Sequence, residues 1–127
     1  MASITREVPL DLSPDEAWAK IEDPARINEW FTFLGEVTYD AETSSRQCAM
    51  GDDMLDELIV DVDADGKRLA YAFLDSPFGF TQHSASMQVV DRDGGSTLVW
   101  THDFKPDEIA PALGEALDGA VATITAG

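Results

Sequence analysis

The sequence has a single cysteine and no long hydrophobic run. Cys48 is the only cysteine in 127 residues, so the chain forms no internal disulfide, and nothing indicates an oxidising compartment. No apolar stretch approaches the roughly 18 residues of a membrane span. Residues 1–7 lack the basic-then-apolar pattern of a secretion signal. We therefore expect a cytoplasmic protein without membrane insertion.

Basic residues are also scarce. Lys and Arg number 8 against 25 Asp and Glu, which gives a net charge of −17. Binding to nucleic acid or to an anionic membrane surface requires clustered basic side chains, and the sequence has no such cluster. Both classes of partner are excluded on this ground. The excess of carboxylates is typical of a solvated, self-repelling surface that keeps a protein soluble.

The common cofactor and metal motifs are absent as well. The sequence has no glycine-rich nucleotide motif, no nucleophile elbow, and no HExxH-like or CxxC-like spacing of metal ligands. Cys48 has no histidine near it in sequence, and Arg46 is the only hint of a stabilised thiolate. This context favours a structural cysteine over a nucleophile. We therefore expect no cofactor and no bound metal.

A single domain over residues 1–127 accounts for what is present. Hydrophobic residues make up 44% of the chain, enough for a core and a modest interior pocket, and there is no repeat or linker. Periodicity and turn residues predict a closing helix over residues 106–124. They also predict seven strands, over residues 3–10, 35–40, 45–50, 54–63, 67–75, 80–91 and 96–104.

Two short helices are predicted directly after the first strand. Ser13 is a typical N-cap residue, Glu16 completes a capping box, and Pro14 stands at the first helical position. Asp23 and Pro24 repeat the same start signal for the second helix. Each helix carries apolar residues at helical spacing, so we expect both to pack inward.

The last hairpin has the clearest alternation of apolar and polar residues. With Gly94-Gly95 as a two-residue turn, Met87 lies opposite His102. The two histidines then face inward, but His83 and His102 have backbones about 13 Å apart, which argues against a shared metal ion. In this register one face carries a mainly apolar set: His83, Ala85, Met87, Val89, Leu98, Trp100, His102 and Phe104.

Four segments in order carry a family resemblance. They are Ser13-Pro14-Asp15-Glu16-Ala17-Trp18, Ile27-Asn28-Glu29-Trp30-Phe31, Lys67-Arg68-Leu69-Ala70-Tyr71, and Leu98-Val99-Trp100 ahead of Phe104-Lys105-Pro106. By these segments the chain resembles the START-like (SRPBCC) superfamily and, within it, the polyketide cyclase/dehydrase-like proteins. The resemblance implies an α+β helix-grip fold. In that fold a curved antiparallel sheet, here of about seven strands, carries two short helices after strand 1 and a C-terminal helix packed over the sheet, enclosing a hydrophobic cavity.

The resemblance also implies ligand binding. Members of this superfamily bind lipids, hormones, polyketides or other apolar molecules, and only some are enzymes, so no catalytic residue is carried over. We expect a small apolar molecule to bind between the sheet and the last helix, oriented by Tyr71 or the histidines. The negative charge disfavours anionic fatty acids unless Arg46 turns inward, so we expect a neutral or cationic ligand. The predicted ligand-binding residues are Leu69, Tyr71, Phe73, His83, Met87, Trp100, His102, Phe104, Leu113 and Leu117.

Two other functions fit the same sequence. A cyclase or dehydratase would use His102 as its acid/base, with Tyr71 or His83 stabilising an enolate. Glu57 is the natural carboxylate partner for such a histidine, but the alternation around it supports either orientation of its side chain. The second alternative is a protein-interaction module, which a solidly packed interior would favour. A monomer or a homodimer is compatible with each function.

Overall fold

A computed structural model describes residues 1–126 as one antiparallel sheet with three helical regions. The strands are β1 (Ala2–Leu10), β2 (Val37–Asp40), β3 (Ser45–Met50), β4 (Asp53–Asp63), β5 (Arg68–Asp75), β6 (Gln82–Arg92) and β7 (Gly95–Lys105). Their order across the sheet is β1-β7-β6-β5-β4-β3-β2, so every strand after β1 pairs with its neighbour in sequence. The predicted seven strands and the α+β class are confirmed.

The two helices after β1 are shorter than predicted. Helix α1 spans Pro14–Trp18 and begins with the predicted capping box, since Ser13 Oγ accepts from the Glu16 amide and the Glu16 carboxylate accepts from the Ser13 amide. The second segment, Pro24–Glu29, is a 3₁₀ helix. Ala17 and Trp18 of α1 and Ile27 of the 3₁₀ helix are buried, so both segments pack inward as expected. This packing stabilises them, since helices this short are marginal on their own.

The C-terminal helix packs on the buried side of the sheet. A 3₁₀ turn at Asp107–Ile109 leads into α2, which spans Ala110–Ala126 and therefore begins later than predicted. The inward stripe of α2 is buried and consists of Leu113, Leu117, Ala120 and Ile124. The sheet thus buries one face against α2 and leaves the other to water, as strand β7 shows by its strict alternation of buried and half-buried residues.

The turn of the last hairpin differs from the prediction by one residue. The turn residues are Asp93 and Gly94, with Gly94 at φ +82°, and Arg92 pairs with Gly95. Gly95 is the first residue of β7, at a position that requires glycine because a Cβ there would collide with the carbonyl oxygen of Leu10 on β1. The register therefore shifts by two residues. Both faces keep their residues, because side chains alternate with a period of two.

The structure also decides the orientation of β4. Leu55, Glu57 and Ile59 face the core and are 8%, 4% and 6% exposed, whereas Val60 and Val62 are 58% and 42% exposed. A register irregularity between Ile59 and Asp61 in the pairing with β5 explains why apolar residues follow both alternations along this strand. Glu57 is thus an interior carboxylate.

Candidate functional site: an apolar cavity under the C-terminal helix

A cavity of about 380 Å³ lies between the buried sheet face, α2 and the segment that follows the first 3₁₀ helix. This volume is within the usual range for small-molecule sites. The sheet lines it with Arg46, Met50, Leu55, Glu57, Tyr71, Phe73, Met87, Trp100 and His102. The rest of the wall is Ile27, Phe31, Phe33, Leu34, Phe78, Leu113, Ala116, Leu117, Gly119, Ala120 and Thr123.

Most of the residues predicted to bind ligand are in this wall. The lining members are Tyr71, Phe73, Met87, Trp100, His102, Leu113 and Leu117. Leu69, His83 and Phe104 are buried but lie outside the wall. His83 is covered by the rings of Phe73 and Phe80, with centroids 4.4 and 4.8 Å away, and Phe80 also packs edge-on against Phe104. Strand alternation predicted the correct face of the sheet but not the depth of each side chain.

Several wall residues were not predicted as ligand-binding. Ile27 and Phe31 were expected to pack inward, and Ala116 and Ala120 lie beside the predicted Leu113 and Leu117 on α2, so helical spacing was a usable signal for them. Others belong to irregular segments or short strands without a diagnostic pattern: Phe33, Leu34, Met50 and Phe78.

A chain of hydrogen bonds crosses the polar part of the wall. Trp100 Nε1 donates to Tyr71 Oη at 3.0 Å, and Tyr71 Oη lies 3.3 Å from His102 Nε2. His102 Nδ1 is 2.7 Å from His83 Nε2, and the Phe73 main-chain amide donates to His83 Nδ1 at 2.9 Å. The expected 13 Å separation between histidines is therefore wrong. The shifted register makes them diagonal neighbours, close enough for ring contact.

The main-chain amide at one end determines the direction of this chain. An amide N–H only donates, so His83 Nδ1 is an acceptor and the proton of the neutral ring is on Nε2. That proton is donated to His102 Nδ1, which leaves the His102 proton on Nε2, donated to Tyr71 Oη. Both histidines are thus Nε2–H tautomers, and the Tyr71 oxygen accepts from both His102 and Trp100.

Burial keeps these groups neutral. Loss of water contact lowers the pKa of His83 to about 4 and that of His102 to about 3, where the neighbouring His83 contributes further. Burial also raises the pKa of the Tyr71 hydroxyl, and the Glu57 carboxylate adds to this increase. At neutral pH His83 and His102 are therefore uncharged, and the Tyr71 hydroxyl keeps its proton.

Acid should destabilise the fold through these two histidines. Their pKa values fall on folding from an ordinary value of 6.5 to about 4 and 3, so below pH 6.5 the unfolded chain binds more protons than the folded one. We expect the free energy of unfolding, measured by urea titration, to be unaffected by these two histidines above pH 6.5. Between about pH 6 and 4 it should decline by up to about 1.4 kcal/mol per pH unit for each histidine. A His83→Asn/His102→Gln variant should lack this part of the pH dependence. If the free energy of unfolding fell as steeply with pH in the variant as in wild type, the two histidines would not be its cause.

A buried ion pair forms the second polar feature of the wall. Arg46 Nη2 donates to Glu57 Oε1 at 2.8 Å, and the two residues are 2% and 4% exposed. Arg46 Nη1 donates to the Pro24 carbonyl at 3.2 Å, and the Cys48 thiol donates to Glu57 Oε2 at 3.3 Å. The guanidinium carbon lies 5.7 Å from the centroid of the Tyr71 ring. Glu57 is thus the partner of Arg46 and Cys48, which corrects its expected pairing with His102.

This environment suits a structural cysteine. Burial, and then the negative charge of Glu57, raise the pKa of the Cys48 thiol to about 12, so the thiolate needed for nucleophilic attack is not populated at neutral pH. Within residues 1–126, no three His, Cys, Asp or Glu side chains are grouped closely enough to hold a metal ion.

The whole chain, residues 1–127, matches the family model described as polyketide cyclase/dehydrase and lipid transport. The chain belongs to this family, which is part of the SRPBCC proteins, and its relatives have the helix-grip fold. The family includes cyclases and dehydrases as well as binders that are not enzymes, and it binds small hydrophobic ligands.

No curated protein sequence matches the chain. No helix in the described part of the chain is long and apolar enough to cross a membrane.

Solved structures from several sources share the fold. The protein XoxI from Bacillus cereus superposes with a TM-score of 0.89 at 18% identity, covering 98% of this chain and 93% of its own. A protein from Thermobifida fusca is 29% identical with a TM-score of 0.81, covering 95% and 85%. The di-domain ARO/CYC BexL of the BE-7585A biosynthetic pathway has a TM-score of 0.85 at 13% identity, covering 98% of this chain and 45% of BexL. The fold is thus found in proteins of widely different sequence.

Proposed function

We propose that this protein binds a small, largely apolar molecule in the cavity between the sheet and α2. The observation that carries the proposal is an open volume of about 380 Å³ inside a wall of mostly aliphatic and aromatic side chains. A protein-interaction module would have no need of such a space, since a solid interior is more stable. Burial of apolar ligand surface would supply affinity at about 25 cal/mol per Å².

Charge supports a neutral ligand. Arg46 does face the cavity, but its charge is compensated by Glu57, so it offers no free counter-charge to a carboxylate. The net charge of −17 further opposes an approaching anion. A neutral apolar molecule therefore fits this interior better than an anionic fatty acid.

The hydrogen-bond directions favour binding over catalysis by His102. A general base needs an available lone pair, but His102 Nδ1 accepts from His83 and its Nε2 carries the proton donated to Tyr71. Its low pKa also makes it a weak base at neutral pH. For this reason we place a cyclase or dehydratase activity of His102 second to ligand binding.

A matched pair of fluorescent probes tests this proposal. N-phenyl-1-naphthylamine is neutral, and 1-anilinonaphthalene-8-sulfonate has the same ring skeleton with a negative charge. We expect the neutral probe to bind saturably at one site per chain, and the sulfonate to bind at least about tenfold more weakly, since its charge would be desolvated without a partner. No saturable binding of the neutral probe would overturn the function, and equal binding of the two would overturn the argument from charge.

A further inference from the structure

The Tyr71 hydroxyl has one hydrogen-bonding capacity that its protein neighbours do not use. Its oxygen accepts from Trp100 Nε1 and from His102 Nε2, which occupies both lone pairs. Its own proton has no acceptor within residues 1–126, and Tyr71 is part of the cavity wall. Tyr71 is 3% exposed as a residue and its hydroxyl is shielded from bulk water, so a donor left without an acceptor there is costly.

A second unused donor lies in the same region. Arg46 is 2% exposed and lines the cavity, and its Nε–H has no hydrogen-bond partner in the described part of the chain. Its guanidinium lies 5.7 Å from the centroid of the Tyr71 ring. This part of the wall therefore holds two donors that no protein acceptor satisfies, while each Glu57 oxygen already accepts a hydrogen bond, one from Arg46 and the other from Cys48.

We infer that the ligand of this cavity carries a hydrogen-bond acceptor, such as a ketone, ester or quinone oxygen, which accepts a hydrogen bond from the Tyr71 hydroxyl. This inference rests on the proposed binding function and specifies its ligand class. The direction of the donor follows from the Phe73 main-chain amide, because that N–H orients His83, His83 orients His102, and His102 occupies the Tyr71 oxygen as an acceptor. The two histidines are thus positioning residues for Tyr71. An apolar molecule with only donor groups would leave the Tyr71 proton unpaired.

The tautomers can be tested without any ligand. The chain has two histidines, so long-range ¹H–¹⁵N correlation spectra at pH 7 contain two ring systems only. We expect both rings to show the pattern of a neutral Nε2–H tautomer. An Nδ1–H tautomer or an imidazolium at either histidine would reverse or interrupt the series of hydrogen bonds from Phe73 to Tyr71, and it would overturn the inference.

The ligand preference is tested with 9-fluorenone and fluorene, which have the same three-ring shape but differ in the carbonyl. The ratio of the two dissociation constants in wild type is compared with the ratio in Tyr71→Phe, so that the different hydration of the two probes cancels. Loss of one hydrogen bond should reduce the preference for 9-fluorenone about fivefold. Tyr39→Phe, at the only other tyrosine and outside the wall, should leave the ratio unchanged.

The carbonyl stretch of bound 9-fluorenone supplies a direct readout. A hydrogen bond from Tyr71 should move this infrared band to lower frequency in wild type and in Tyr39→Phe, but not in Tyr71→Phe. A ratio and a band position unaffected by Tyr71→Phe would overturn the inference while leaving the binding function intact. Failure of fluorene, 9-fluorenone and the neutral naphthylamine probe to bind would instead overturn the binding function itself. If Tyr71→Phe does not fold, the histidine tautomers of the wild-type protein still test the direction of the Tyr71 donor, because an Nδ1–H tautomer of His102 would overturn the inference without any variant.

Discussion

Ala116→Trp should weaken binding of N-phenyl-1-naphthylamine by at least about tenfold, which corresponds to about 1.4 kcal/mol. Ala116 stands on α2, lines the cavity and is itself exposed, so an indole at this position has room to enter the mouth of the cavity without breaking the packing of the helix. The probe would then have to displace a bound aromatic side chain. Fluorescence titration of wild type and variant measures the difference.

Ala112→Trp is the matched control for this experiment. Ala112 lies one turn earlier on the same helix, is also exposed, and is not part of the wall. The same substitution there should leave probe affinity unchanged, and both variants should retain stability to within about 0.5 kcal/mol, as is usual for exposed positions. Equal weakening by both substitutions would show that the probe binds the outer surface of α2 and not the cavity.

Glu57→Leu should lower the free energy of unfolding by about 3–5 kcal/mol. The substitution leaves Arg46 charged and 2% exposed with no counter-charge, and it removes the acceptor of the Cys48 thiol. Since a domain of this kind has only about 5–15 kcal/mol of total stability, this loss is a large fraction of it. Urea unfolding followed by tryptophan fluorescence measures the effect.

Two comparisons separate a buried charge from a lost side chain. Glu29→Leu removes the partner of Arg26 in an ion pair that is more than half exposed, and it should leave the free energy of unfolding almost unchanged because water replaces the interaction. The double variant Arg46→Met/Glu57→Leu removes both buried charges and should recover much of the stability lost by Glu57→Leu. A double variant as unstable as Glu57→Leu would show that packing, not charge, accounts for the loss.

Elements with a local signal were predicted well from the sequence. Strand β3 has its predicted bounds, residues 45–50, because polar turns flank it on both sides. The capping box of α1 forms as predicted because Ser13 and Glu16 satisfy each other's amides within one turn. The inward face of β6 and β7 was also correct, since a period of two is preserved by any even shift of register.

Features that depend on contacts between distant segments were not predictable in this way. Gly94-Gly95 was a reasonable turn by local rules, but Gly95 is needed where β7 passes the Leu10 carbonyl of β1, a contact that no local pattern reports. The resulting shift brought His83 and His102 into contact. The orientation of Glu57 was ambiguous for a similar reason, because Arg46 stands opposite it on another strand.

The amino-acid sequence by itself determined the order of the elements, the one-sided apolar faces and the excess of negative charge, because each follows from residue type and spacing along the chain. The tertiary structure decided the cavity, the buried Arg46–Glu57 pair and the hydrogen-bond chain that ends at Tyr71. These depend on distances across the sheet and on the depth of each side chain beneath its neighbours. Such quantities are set by strand register and by the position of α2, and neither is encoded in local periodicity.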